Sequence, residues 1–223
     1  EAIIKEKGAP ALEELANLMD YKWPRGVVYK ATPTILPFSP FGDDNDFNFS
    51  ILNILQKREN IASLLPKFIH EISHFVLFDI LNQIKKEGEV AQVAKDVKNY
   101  FKEALTAVLL NKESLRRIFG IPRYKGNFEI YGLNIKKQNG KILSFSRFVS
   151  EQYNQIKIKK ETSFKIFLIE IIKILQPLSQ EFSEKRKMWN DQGANIFKNE
   201  KLLKEYGRPI RIKEAKAKPL WSN

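Results

Sequence analysis

The sequence predicts an α+β fold, with short β elements around a central apolar helix, a second helix that carries a glutamate, and a mostly helical C-terminal part. Three observations point to it. Several segments repeat apolar residues at helical spacing. Others are short β-like runs, two of them flanking Asn139-Gly140, a strong hairpin signal. Between these, Leu65, Phe68, Ile69, Ile72, Phe75, Val76, Phe78, Ile80, Leu81 and Ile84 lie nearly all round one helix, which marks it as buried.

Taken in order, Pro10 to Asp20 reads as a short amphipathic helix, broken by Trp23-Pro24-Arg25-Gly26. Val27 to Ala31 is β-like. Thr32 to Pro40 contains three prolines and reads as an extended, turn-rich connection. Gly42 to Asp46 is acidic enough to suggest calcium. It lacks the full EF-hand spacing, and a polar turn is the preferred reading. Phe47 to Leu55 alternates in part and reads as a strand just upstream of the central helix. That helix starts near Pro66 and stops at Gly88, after Lys85 and Lys86.

Lys95 to Asn111 is amphipathic through Val97, Phe101, Leu105, Val108 and Leu109. Ser114 to Phe119 follows, then Gly120-Ile121-Pro122. Phe128 to Ile135 and Lys141 to Phe148 are the arms of the predicted hairpin. Ser163 to Leu175 is apolar over a wide surface, and its length and spaced charges favour a core-packing helix over a strand. Pro177 ends or kinks it. A polar helix follows to about Trp189, and from Lys198 the chain is basic and thinly apolar. The expected organisation is one domain over 1–223, with 112–223 as a candidate C-terminal subdomain.

The chemistry centres on His70-Glu71-Ile72-Ser73-His74, an HExxH pattern holding both histidines of the chain. Residues four apart on a helix share a face, one turn above each other. Two imidazoles so placed can bind one Zn²⁺, and Glu71 is then the expected general base toward a zinc-bound water. A helix with two incidental histidines is the plainer alternative. The pattern is short, but here it absorbs every histidine and lies within a helix.

A third protein ligand is needed. The chain has no cysteine and no further histidine, so the ligand is Asp or Glu, which excludes the metzincin pattern with its third histidine. Glu103 lies close to the apolar side of the second helix, where a carboxylate needs a partner that a metal would supply. Asp79, nine residues after His70 on the same helix, points roughly opposite to it. Glu87 and Glu89 flank Gly88 in a solvated turn, and Glu113 lies beyond the apolar run. Glu103 is therefore the expected ligand.

With these residues in place, the chain resembles the gluzincin metallopeptidases, most of all the compact single-domain minigluzincins. The resemblance rests on His70-Glu71-Ile72-Ser73-His74 followed by a helix with Glu103-Ala104-Leu105-Thr106-Ala107, and spans roughly Phe47 to Asn111. It implies His70, His74 and Glu103 as zinc ligands, Glu71 as base, and hydrolysis of protein or peptide substrates as an endopeptidase. It also implies a small sheet packed on the active-site helix, whose edge strand holds substrate in extended form. Many gluzincins carry an aspartate four residues after the ligand glutamate, which orients a zinc histidine. Here that position is Ala107, which leaves Thr106 or a backbone carbonyl to do so. The oxyanion-stabilising group is open among Arg123, Tyr124, Tyr131 and Tyr153.

Composition narrows the field further. The hydrophobic share of 43% is that of an ordinary globular protein, and the absence of cysteine excludes disulfides and thiolate ligands. No apolar run approaches the roughly 20 residues of a membrane span. No signal peptide is visible, and the chain starts at Glu1 without Met. These features leave localisation undetermined. The net charge of +12 fits a lysine-rich solvated surface. A non-catalytic basic domain for nucleic acid, or a toxin-like interaction domain, is the alternative function, not favoured because no nucleic-acid motif accompanies the charge. A third reading keeps zinc but makes it purely structural.

Overall fold

The computed structural model describes residues 2–35, 45–56, 63–90, 92–127 and 130–212. The chain is α+β, with a two-stranded and a three-stranded sheet among many helices. It forms two compact units, Glu1–Gln83 with Thr106–Lys125, and Ile84–Leu105 with Gly126–Asn223. Among the described residues no helix is long and apolar enough to cross a membrane.

In the first unit, helix α1 spans Ala2–Leu18 and runs straight through Pro10, where the sequence suggested a start. Proline is favoured in a helix's first turn, so sequence reading prefers to begin there. Ala11, Leu15 and Met19 bury its inner face, which packs on helix α5 (Glu113–Phe119). Strand β1 (Lys30–Thr34) is shifted three residues along from the predicted β-like run Val27–Ala31, overlapping it at Lys30 and Ala31. It pairs in parallel with β2 (Asp46–Ser50), in register from Lys30 opposite Asp46 to Thr34 opposite Ser50. Among the described residues β1 has β2 as its one neighbour, and such an edge position tolerates Pro33.

The predicted strand from Phe47 ends at Ser50, and Leu52–Leu55 is a single helical turn, α2. Alternation in β2 points Phe47 and Phe49 to one face. Phe47 stacks edge-on to Phe68, and Phe49 does the same at 4.7 Å between centroids. Phe47 and Tyr29 also approach Phe75. Phe68 and Phe75 belong to helix α3 (Leu64–Lys86), so the small sheet packs on the central helix. Lys85 and Lys86 close α3 favourably for the helix dipole, and Gly88 beyond it takes a left-handed φ of 76°. Helix α4 covers Lys95–Leu110 and ends within the first unit.

The second unit is mostly helical. Its hairpin joins β3 (Asn134–Lys136) to β4 (Ile142–Ser144) around Gly140, which has φ 80°. Both arms are shorter than predicted. Ser144 caps a new helix, α6 (Phe145–Tyr153), by accepting from the Arg147 N–H, and that helix ends the strand. A π-helical turn (Asn154–Ile158) follows, and then α7 (Phe164–Leu175), capped by Ser163. A 3₁₀ turn holding Pro177 leads into α8 (Ser179–Gln192).

The described residues after Lys198, basic and thinly apolar in sequence, still form regular elements. These are α9 (Glu200–Tyr206) and β5 (Ile210–Arg211), which pairs with β3 through Ile135 and Ile210. Tyr206 is fully buried there, its hydroxyl 3.3 Å from that of Tyr100. The core of this unit is aromatic, with Tyr153 and Phe164 against Phe167, and Phe145 and Tyr100 against Phe182. Most of the predicted turn at Gly42–Asp46, most of the Thr32–Pro40 connection and the chain after Ile212 lie outside the described residues.

Candidate metal centre

Helix α3 buries Leu65, Ile69, Ile72, Val76 and Leu77, and its polar residues have to fit among them. His74 is 0% exposed, Ser73 1% and His70 8%, while Glu71 is half-buried. Side chains one turn apart on a helix meet, and the two imidazoles do so at a T-shaped angle with their Nε2 atoms 3.0 Å apart. Two nitrogens at about 2.0–2.1 Å from a tetrahedral zinc stand roughly 3.3 Å apart, so this spacing is close to that of a ligand pair. Ligand atoms of His70, Glu71 and His74 all lie within 4.8 Å of one another, and this buried group can hold a metal ion.

Buried polar groups need hydrogen-bond partners. Here the partners decide where protons sit. The Ser73 hydroxyl donates to the His70 carbonyl at 2.6 Å, and a carbonyl can only accept. Ser73 has then spent its one proton. Its 2.6 Å contact with Thr106 must be donated by Thr106. Thr106 has then spent its proton as well, so its 3.3 Å contact with His74 Nδ1 is donated by the imidazole. A neutral imidazole protonated on Nδ1 has a bare lone pair on Nε2. The relay from His74 through Thr106 and Ser73 therefore holds His74 in the tautomer that a metal requires. Phe78 stacks on the same ring.

His70 is held differently. Its Nδ1 lies 2.9 Å from the Tyr124 hydroxyl, in the irregular segment after α5. Of the groups considered for an oxyanion, Tyr124 is thus engaged on the far side of the His70 ring. Tyr153 is buried in the aromatic core of the second unit, and Arg123 is exposed.

Glu103 is not one of the three clustered residues. It lies on α4 within the second unit, 4% exposed, with Lys102 Nζ donating to its Oε1 at 2.5 Å. Thr106 lies three residues further along that helix, in the first unit. Three other carboxylates that the sequence offers as ligands have partners of their own. Asp79 accepts from the Tyr21 hydroxyl at 2.8 Å and from Gln83, and burial followed by this carboxylate raises the Tyr21 hydroxyl above its ordinary range. Glu87 pairs with Lys165, and Glu113 with Arg117.

The sequence offers Thr106 only as one option and gives no role to Ser73. Ser73 carried a weak signal, since a serine three residues after a helical carbonyl can bond back to it. Tyr124 carried none beyond its chemistry, because the segment around it has no periodicity to read. In comparison with known proteins the chain finds no match: no protein-family model, no curated protein and no solved structure is similar to it.

Proposed function

We propose that the chain is a zinc-dependent peptidase of gluzincin type. The observation that carries this reading is the meeting of two buried Nε2 atoms 3.0 Å apart, each ring held at Nδ1 by a hydroxyl. A nitrogen pair with a carboxylate suits zinc better than calcium or magnesium, which prefer all-oxygen sites. In this reading His70 and His74 hold the ion through Nε2. The third ligand would be Glu103 of α4, the carboxylate that the sequence pattern selects. When bound, zinc supplies a Lewis acid for the scissile carbonyl and for water.

The chain's own residues do the rest. Glu71 takes a proton from the attacking water and returns it to the leaving amine. Tyr124 and Thr106 keep the imidazoles from turning. Among the described residues β1 has a strand partner on one side only, and its other edge would take an extended peptide.

The test is a generic unfolded protein substrate together with elemental analysis. Wild type is expected to contain one zinc per chain and to cut the substrate. Glu71→Gln is expected to keep its zinc and lose about 10²–10⁴-fold in turnover. Protein purified without chelator that holds no zinc, and takes none up, ends this reading.

A further inference from the structure

We infer that Asn111 is a positioning residue for His70, acting through the Tyr124 hydroxyl; the inference rests on the metallopeptidase reading above. Asn111 directly follows the last residue of α4. Its Nδ2 donates to the Ala107 carbonyl at 2.7 Å and to the Tyr124 carbonyl at 2.8 Å. Its Oδ1 accepts the Tyr124 N–H at 3.0 Å. One amide side chain thus caps the end of α4 and pairs with both backbone groups of Tyr124, as a neighbouring strand would. Aspartate has no donors for the two carbonyls. Arg116 fixes the approach to Tyr124 by donating to the Asn111 carbonyl at 3.2 Å and the Pro122 carbonyl at 2.6 Å. The turn between them closes at Gly120, with φ 69°.

The reason for a tyrosine follows from proton positions. The relay leaves His74 Nε2 as an acceptor, so in the metal-free site the 3.0 Å contact is donated by His70 Nε2–H. In a neutral His70 ring Nδ1 is then a bare lone pair, to which the Tyr124 hydroxyl donates. When His70 Nε2 is a ligand atom, its proton has to sit on Nδ1, and the Tyr124 oxygen accepts it. A hydroxyl serves both states by turning about its C–O bond. A carboxylate could only accept. Asn111 keeps that hydroxyl within reach in both states.

The experiment uses the full chain with Co²⁺ or Zn²⁺ alone as the probe. Tyr124→Phe and Asn111→Ala are each expected to lower metal affinity by about 10–100-fold and to alter the visible bands of the Co²⁺ form. In the metal-free protein, each is expected to move the ¹⁵N resonances of the His70 ring, and in His74 only that of Nε2, the atom that accepts from His70, leaving His74 Nδ1 in place. The double variant is expected to bind no more weakly than the weaker single variant, because both act on one contact. Should Asn111→Ala fail to fold, Asn111→Asp replaces it, keeping the acceptor for the Tyr124 N–H and losing both donors. Losses that multiply in the double variant overturn the inference, as does a Tyr124→Phe protein identical to wild type. Wild type that binds neither ion overturns the metallopeptidase reading and this inference with it. Wild type that binds, with variants that match it, overturns the inference alone.

Discussion

Helices α3 and α7 are both rich in apolar residues, yet they are built to different ends. Helix α7 buries Phe164, Phe167, Leu168, Ile169, Ile171, Ile172 and Leu175, and keeps Lys165, Glu170 and Lys173 outside. Packing accounts for all of it. Helix α3 buries His70, Ser73 and His74 among its leucines, isoleucines and valines. Each of these polar groups costs desolvation, which its hydrogen bonds only offset. A helix selected for packing alone has no need of them. The difference teaches that apolar content finds a buried helix, whereas the polar residues inside it find its use.

Four experiments break or sharpen that contrast, from the largest effect to the smallest. His70→Ala or His74→Ala is expected to abolish metal uptake and peptide cleavage together, read by elemental analysis and by assay on an unfolded substrate. Retention of full metal by either would remove α3's claim to be more than a packing helix. Glu103→Ala comes next. As loss of a ligand it should weaken zinc by more than the roughly 10–100-fold typical of an orienting group, whereas exposed Glu113→Ala should leave affinity unchanged. If the two behave alike in a zinc titration, the third ligand lies elsewhere and the peptidase reading still stands.

Phe167→Ala probes the other side of the comparison. It should cost about 3–5 kcal/mol of stability in a denaturant melt, while metal bound per folded molecule stays constant. The smallest effect is expected from Thr106→Val, which keeps the shape and removes the hydroxyl between His74 and Ser73. Affinity should fall about 10–100-fold, read by calorimetric titration, and the midpoint of a denaturant melt should fall as well, because the buried His74 Nδ1–H loses its acceptor.

Much of this was legible in the sequence, and for physical reasons. Helices α3, α4 and α7 follow their apolar patterns to within about two residues, because burial of those residues is what makes them helices. The pairing of His70 with His74 is a matter of helical geometry alone. Other parts could not be read. Helix α9 and strand β5 are thinly apolar, and what orders them is Tyr206 and Ile210 entering a core built by distant residues. Phe145 reads equally well as the end of a strand or the start of a helix, and the Ser144 cap decides it. Asn111 and Tyr124 stand 13 residues apart, and no local pattern joins an amide side chain to a distant backbone.

The hydroxyl partners of the two histidines also set an order in time. The imidazoles are four residues apart, and a helix presents both within about 0.1–1 μs of forming. Their orienting groups arrive across much longer stretches, Thr106 from 32 residues away and Tyr124 from 54. Closing such loops costs entropy and waits for tertiary structure. A chain that meets metal while still folding therefore offers two nitrogens whose protons are not yet assigned. A chain that meets it afterwards offers a finished socket with His74 already set. The rate and homogeneity of metal loading should accordingly depend on whether the ion is present during refolding or added at its end.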